Sequence, residues 1–554
     1  MPSIKIKEVD ISPVATADVT TNAVYVPGYA IQGPTNEPML FETLEAFQEV
    51  FGSSPYLFES DGYQGQSDDW VYSWKKDTPE PSYIYASDLL RLGNPVLFER
   101  LDGSNVTASV TLTTTGESPI NIGEVVARYP GKSYTKVYVK LESRTETVGG
   151  TGYIGYILTV GRDTDESMGI SEISPVETFF TFSDVLNQAI PKYELYTISQ
   201  SNPGTYYDDN SGLVKSKWLN SSLPNISSKT YLTTSSQDPE FTPAAIYSFI
   251  TSNGLEKIKD RNEYVLKYIT AGGYPTLFSP GSDYTGNEYA EKLLDVATGR
   301  KDVTALIDYN VELDSVTGDP YNVQRYANTW IHNHTEVDSE DVGNYGAIFT
   351  PWCTIKSPTL NSKEITMSPS FAYLSAMAQS TQNFANWYAV AGVTRGVIPN
   401  LTGVTKQISD SVGNALQPTD SVAINPIQQI RPYGYRIWGS RTLRDNFDNG
   451  DLTATSFLNI RQLANDVKRV VYVASKECMF EPDDDVLWIN YKSKITPLLD
   501  RMKGNRGLTD YSIRRVATDA KATLKAVIRL YCIDPVEHFD ITLELTDGQV
   551  TTAE

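Results

Sequence analysis

Histidine and cysteine are almost missing from this 554-residue chain, which holds three of each. With His332, His334 and His538 as the whole imidazole supply, a histidine-centred triad or metal site has few ways to form. His332-Asn333-His334 lies near Asp338 and Glu340, but two histidines at i and i+2 share a direction only on a strand, and no third ligand follows at a metal-site spacing. These are expected to be surface polar residues. No nucleophile elbow or cysteine-protease signature is present, so no catalytic residue, metal or cofactor is expected. Cys353, Cys478 and Cys532 are far apart, odd in number and close to apolar neighbours, which predicts buried free thiols in a reducing compartment. No apolar run approaches bilayer length, and Met-Pro-Ser-Ile-Lys at the start has no apolar signal core; a soluble protein made in the cytoplasm, with no membrane insertion, is the expectation.

Basic residues are also in deficit: 46 Lys and Arg against 68 Asp and Glu, a net charge of −22. Such a chain repels phosphates, which excludes wholesale nucleic-acid binding. The imbalance is uneven. Residues 431–530 hold 18 bases and 12 acids, whereas the last 24 residues hold six acids and no base. A basic block followed by an acidic tail invites head-to-tail contact between copies; on charge alone, two solvated surfaces are the better reading.

What the chain has in excess is tyrosine: 35, against 18 Phe and 8 Trp. Tyrosine combines apolar area with a hydrogen-bonding tip, suiting either protein interfaces or a tyrosine-rich core. A 40% hydrophobic fraction supports a sizeable core.

Along the chain, Ile4 and Ile6 alternate with Lys5 and Lys7 in a short N-terminal strand with no hairpin partner nearby. Ala23–Ala30 reads as a strand, followed by a Gly-Pro turn and a helix capped by Thr43 that carries Phe47 and Val50 and stops at Phe51-Gly52. A helix with Ala86, Leu89, Leu90 and Leu92 leads to a strand over Pro95–Leu101. Residues 104–190 are alternating strands with Thr-rich or charged outer faces. Gly150-Thr151-Gly152-Tyr153-Ile154-Gly155 matches the dinucleotide pattern but joins two strands, so a hairpin is expected. Helices over Ala244–Gly254 and Tyr289–Thr298, buried strands at Thr304–Asp308 and Gly346–Thr350, and a helix opening at Ser368-Pro369 resume an α/β pattern.

Near the C-terminus, Phe457, Ile460, Leu463, Ala464, Val467, Val471, Ala474 and Cys478 form a helical apolar stripe, with Arg461, Lys468, Arg469 and Lys476 off it on a polar face. The next helix opens at Asp483-Asp484-Asp485 and ends at Arg501, Lys503 and Gly504, with Pro497 expected to kink or divide it. A strand over Thr523–Cys532 follows. Last, Phe539, Ile541, Leu543 and Leu545 alternate with polar residues in a terminal strand that, like the first, lacks a local partner.

Three segments then carry a family signature: Asn425-Pro426-Ile427; Tyr433-Gly434-Tyr435-Arg436-Ile437-Trp438-Gly439-Ser440-Arg441-Thr442-Leu443; and Phe480-Glu481-Pro482-Asp483-Asp484-Asp485-Val486-Leu487-Trp488. In this order they resemble the core domain of contractile tail sheath proteins, and the strand, Gly-Pro turn and Phe-Gly helix of residues 23–52 resembles the N-terminal part. Ser440 stands where a small Ala is common, and Ile460-Arg461-Gln462 has one Arg where many sheaths have two.

The resemblance implies a mixed α/β (α+β) multidomain protein. Its parts would be an N-terminal arm 1–22, a middle α/β domain from 23–103 and 236–345, a β-rich outer insertion 104–235, a core domain 346–535 and a C-terminal arm 536–554. It further implies hexameric rings stacked around an inner tail tube, with baseplate and tail terminator proteins as partners, assembled in a bacterial host and residing in the tail of a virion or injection machine. The arm strands carrying Ile4, Ile6, Phe539, Ile541, Leu543 and Leu545 would join sheets of neighbouring copies, and the helix face with Arg461, Lys468, Arg469 and Lys476 would meet the tube. A virion receptor-binding or decoration protein with a β-rich adhesive domain is the alternative; an enzyme has the weakest support.

Overall fold

The computed structural model describes residues 22–55, 57, 79–101, 107–113, 121–127, 129–148, 151–164, 173–180, 189–190, 195–199, 207–208, 213–215, 226–233, 247–250, 254–278, 287–310, 322–338, 342–444, 452–518 and 523–537. The expected arm strands at Ile4–Lys7 and Phe539–Leu545 lie outside the described residues.

One eight-stranded sheet organises the centre. Its strands are β1 (Val24–Gly28), β2 (Met39–Phe41), β3 (Val96–Arg100), β4 (Tyr268–Ile269), β5 (Thr304–Ile307), β6 (Gly346–Thr350), β7 (Asn425–Ile430) and β8 (Gly434–Ile437), in the order β2-β3-β1-β4-β5-β6-β7-β8. The pairs from β3 through β7 are parallel, and the two outermost pairs are antiparallel. Parallel strands are covered on both faces, which is why β1, β5 and β6 are buried along their whole length. The pleat sorts their side chains: Tyr25, Ala305, Ile307 and Ile348 enter one apolar core, while Val24, Val26, Leu306, Ala347 and Phe349 enter the other.

Helices α1 (Leu44–Phe51), α2 (Pro81–Arg91) and a later helix supply the second core through Phe47, Phe51, Leu89 and Phe371. Helices α3 (Glu288–Arg300) and α4 (Asn322–Asp338) supply the first through Leu293, Leu294, Ala327 and Ile331. The later helix is α5 (Pro369–Thr381), with Ser368 as its N-cap residue and proline at its first position. Thr43 caps α1 by accepting from the Ala46 amide, and Gly52 ends it at φ 90°, as the local sequence predicts.

At the N-terminal ends of the parallel strands, α6 (Leu458–Glu477), α7 (Asp485–Gly504) and the hairpin β9 (Leu508–Val516) with β10 (Lys525–Cys532) form a further layer. Its core is Leu463, Val467, Tyr491, Ile495, Leu499 and Met502, closed by Trp387. Asp484 caps α7 through the Leu487 amide at 2.8 Å. Pro497 lies inside α7, which runs undivided from Asp485 to Gly504.

Helix α4 carries His332 and His334. Two expectations change in the structure. Gly346 pairs with Ala305, so the domain boundary expected between 345 and 346 falls between two strands of one sheet. Cys353 is buried, but Cys478 and Cys532 are half-buried.

The excess tyrosine is spent substantially in the core. Tyr25, Tyr83, Tyr85, Tyr247, Tyr268, Tyr274 and Tyr309 are among the largest fully buried side chains. Their hydroxyls bond to Glu99 (from Tyr25, 2.7 Å), the Gly52 carbonyl (from Tyr83, 2.6 Å), Ser370 (Tyr85, 2.9 Å), Tyr373 (Tyr268, 3.1 Å) and Thr350 (Tyr309, 2.7 Å). Pairing these five hydroxyls offsets their desolvation.

Among the described residues, the β-rich insertion contains two sheets. One comprises Ser109–Thr113, Asn121–Ala127, Leu195–Ser199 and Ala189–Ile190; the other is built around the hairpin Val137–Val148 with Thr151–Arg162. Val148 pairs with Thr151 and Thr147 with Gly152, so Gly152 and Gly155 of the glycine-rich motif lie within an antiparallel strand and not at the start of a helix that could meet a phosphate. The insertion is tied to the central sheet where Ser133 Oγ donates to Gln32 Oε1 at 2.5 Å and Arg100 Nη1 donates to the Pro130 carbonyl at 3.1 Å.

Candidate assembly surfaces

Buried carboxylates are where an active site would hide. Asp308, just beyond the end of β5, accepts from the Ser370 amide at 3.0 Å and from Ser370 Oγ at 2.5 Å. Burial pushes its carboxyl up to about 6. Glu80 caps α2 through the Ser82 and Tyr83 amides and also accepts from Ser82 Oγ and Tyr274 Oη. Asp88 accepts from Ser357 Oγ and from the Thr359 amide and hydroxyl. Glu99 receives Tyr25 and is pushed by burial up to about 7. Each is closed in by the elements it joins, and each bonds a helix start or a neighbouring strand. Among the described residues, no group of three or more His, Cys, Asp or Glu could hold a metal ion, and no helix is long and apolar enough to cross a membrane.

The four helix cations singled out from the sequence do not form a free basic face. Arg461 and Arg469 are each only 5% exposed. Arg461 sits over the Tyr345 ring, 4.7 Å from its centroid. Arg469 donates to Asp466 at 2.6 Å and to the Asp302 carbonyl at 2.9 Å. Lys468 is half-buried and donates to Tyr345 Oη at 3.0 Å; burial holds its amine below the usual lysine range. Lys476 is exposed and bonds Asn262, which also accepts from Tyr472 at 2.7 Å. The basic excess of residues 431–530 is the reason to expect this face against the tube. The face is instead the seam between α6 and the sheet, where Gln462 donates to Thr304 at 2.7 Å and where buried Lys267 has its amine lowered by desolvation to about 8. No sequence period separates a solvated polar face from a polar seam.

The C-terminal hairpin was only half visible in the sequence. Its second strand was expected, but Leu508–Val516 was not, because Arg514-Arg515 and Asp510 interrupt its alternation. Tyr511, Ile513, Ala526, Ile528 and Leu530 turn one face toward the layer's core. Among the described residues, β9 and β10 pair only with each other, so each presents one unpaired edge.

Two of the three signature segments, 425–427 and 433–443, converge. Asn425 Nδ2 donates to the Ile348 carbonyl at 3.0 Å and to the Arg441 carbonyl at 2.9 Å, while its Oδ1 accepts from the Arg441 amide at 2.7 Å. Gly439 passes so close to Gln417 and Asn425 that a Cβ there would lie 1.9 Å from Gln417 Nε2. These residues are spaced for a structural joint.

No family profile matches the chain. A stretch of 127 residues is 24% identical to the tail sheath protein of Vibrio phage KVP40, covering 23% of this chain and 18% of that relative's length. Among solved structures, the chain is similar to the sheath tail protein of Listeria innocua (10% identity, TM-score 0.53, covering 92% of this chain and 95% of that one). It is also similar to the sheath tail protein of Desulfitobacterium hafniense (10% identity, TM-score 0.50, covering 96% and 100%). The mixed α/β fold is that of sheath tail proteins, and the resemblance seen in the signature segments extends to the architecture.

Proposed function

We propose that this chain is a non-enzymatic structural subunit of a contractile tail sheath, polymerising as stacked hexameric rings around an inner tail tube that contraction drives through a target envelope. The observation that carries this reading is the shared fold with the Listeria sheath tail protein over almost the whole of both chains, together with the local match to a phage tail sheath. The two open edges of β9 and β10 support strand addition by terminal segments of neighbouring copies, since an exposed edge is a template for another chain. The residues proposed to add are those around Ile4 and Ile6 and around Phe539, Ile541, Leu543 and Leu545.

In this reading an acidic tail tube meets the helical layer through its exposed cations, among them Lys476, Lys492, Arg501 and Arg506. Burial of Arg461 and Arg469 takes those two out of that contact. Baseplate and tail terminator proteins would bound the polymer at its two ends, and assembly would take place in the bacterial host.

Electron microscopy of the purified chain tests the proposal. Hollow tubes of regular diameter are expected, and deletion of residues 1–12 or 538–554 should leave a folded protein that does not polymerise. Discrete particles under all conditions would favour an adhesin or decoration role.

A further inference from the structure

We infer that Arg441 and Glu537 form a clasp that fixes where the C-terminal segment leaves the body of the protein. This deepens the sheath reading and rests on it only for the consequence in assembly. Arg441 is 1% exposed, and a guanidinium taken that far from water needs a compensating charge. The carboxylate comes from Glu537, five residues past the end of β10: Arg441 Nε donates to it at 3.0 Å and Nη2 donates to Oε2.

The cation is held from several sides. Its backbone is held at both ends by the Asn425 side chain, and its guanidinium lies 4.8 Å from the centroid of the Phe457 ring at the start of α6. The Leu458 amide donates to the Ser440 carbonyl at 2.9 Å, tying the same corner to the helix. Arg441 is therefore a fixed point shared by the sheet and α6, and Glu537 is the residue that reaches it.

The segment between β10 and Glu537 has little else to hold it. Residues 533–537 have no regular secondary structure, Ile533 is 40% exposed and Val536 is 71% exposed. The Glu537 side chain, at 20% exposure, is drawn in against this trend. A two-point bond between a planar guanidinium and a carboxylate fixes direction as well as distance, which a lysine in place of Arg441 would not do. The pair therefore sets the position and heading from which the chain departs. In an assembly where that segment adds to a neighbour, Arg441 and Glu537 are positioning residues for the contact.

The test uses the full-length chain, first as unassembled monomer, comparing Glu537→Gln, Arg441→Lys and the double variant Arg441→Met with Glu537→Leu. The double variant removes both charges and so leaves no buried cation unpaired. Limited proteolysis over residues 533–537 should speed up on the order of tenfold or more in Glu537→Gln and in the double variant, the local loss expected when a buried pair is broken. Amide exchange in Gly346–Thr350 and Asn425–Ile430 should stay at the wild-type rate, and Glu537→Asp should restore part of the protection. Unchanged protection in the folded double variant, or equal loss across the sheet and the segment in both variants, would overturn the clasp. Tube formation is then scored separately. A wild-type chain that makes no tubes removes the sheath reading and leaves the proteolysis result standing, while tubes of unaltered length from the released variants would show that the clasp does not position the segment.

Discussion

Arg469 Nη2 donates to the main-chain carbonyl of Asp302 at 2.9 Å, joining the middle of α6 to the residue two before β5. Its other partner, Asp466, is one turn earlier on the same helix and only 1% exposed. A buried ion pair of this kind contributes little net stability when formed, but removing one partner strands the other charge. Arg469→Met is expected to cost about 3–5 kcal/mol, read as a lower denaturant midpoint, whereas Lys476→Ala on the exposed end of the helix should change stability by less than about 0.5 kcal/mol. Equal, small effects would return Arg469 to the surface.

Stability should fall as pH rises through the weakly acidic range. Asp308 and Glu99 hold protons in the folded state that the unfolded chain releases, because burial raises their carboxyls to about 6 and about 7 from ordinary values of 3.8 and 4.5. The folded state thus binds more protons than the unfolded one between about pH 4 and pH 7, which makes the slope of unfolding free energy against pH negative there. For Asp308 the loss completes near pH 6 and amounts to about 3 kcal/mol. Asp308→Asn should flatten that part of the profile; chemical denaturation at half-unit pH steps checks it, and a stability that rises over this window would refute it.

Gly28 closes β1 where α2 begins, and a Cβ there would lie 1.7 Å from Ser82 Oγ. That hydroxyl accepts from the Tyr29 amide at 3.0 Å and donates to Glu80 at 2.7 Å, so it is not free to swing away. Gly28→Ala is expected to destabilise by about 1–3 kcal/mol through overpacking, and combining it with Ser82→Ala should recover part of the loss. Thermal unfolding of the two single variants and the pair measures the coupling.

Replacing residues 104–235 by a short linker should leave the eight-stranded sheet folded. Among the described residues the insertion has two sheets of its own, and it is joined to the rest through the bonds of Ser133 to Ile31 and Gln32 and of Arg100 to Pro130. Far-ultraviolet dichroism should lose β signal while tyrosine-core packing, followed by near-ultraviolet dichroism, remains. Loss of both signals would make the insertion part of the central fold.

Much of the architecture was readable locally. The helix from Leu44 to Phe51, with its Thr43 cap and Gly52 stop, and the buried strand Gly346–Thr350 follow from residue type and spacing alone. The strand Leu508–Val516 was missed because its alternation is broken by charge and its partner follows only after a polar connection. The arm residues Ile4, Ile6, Phe539, Ile541, Leu543 and Leu545 are untouched by the described structure and stay where sequence pattern places them.

The sequence by itself determined the scarcity of histidine, the bounds of helices such as Leu44–Phe51 and the α/β pattern, because capping, periodicity and composition act within a few residues of one another; it did not show the helix Asn322–Asp338. Only the tertiary structure decided that Arg461 and Arg469 face a seam, that Gly346 pairs with Ala305, and that Arg441 meets Glu537 across 96 positions of chain. Those outcomes depend on which polar surface is taken out of water when layers pack. That choice is made by burial and partner geometry, which no local pattern encodes.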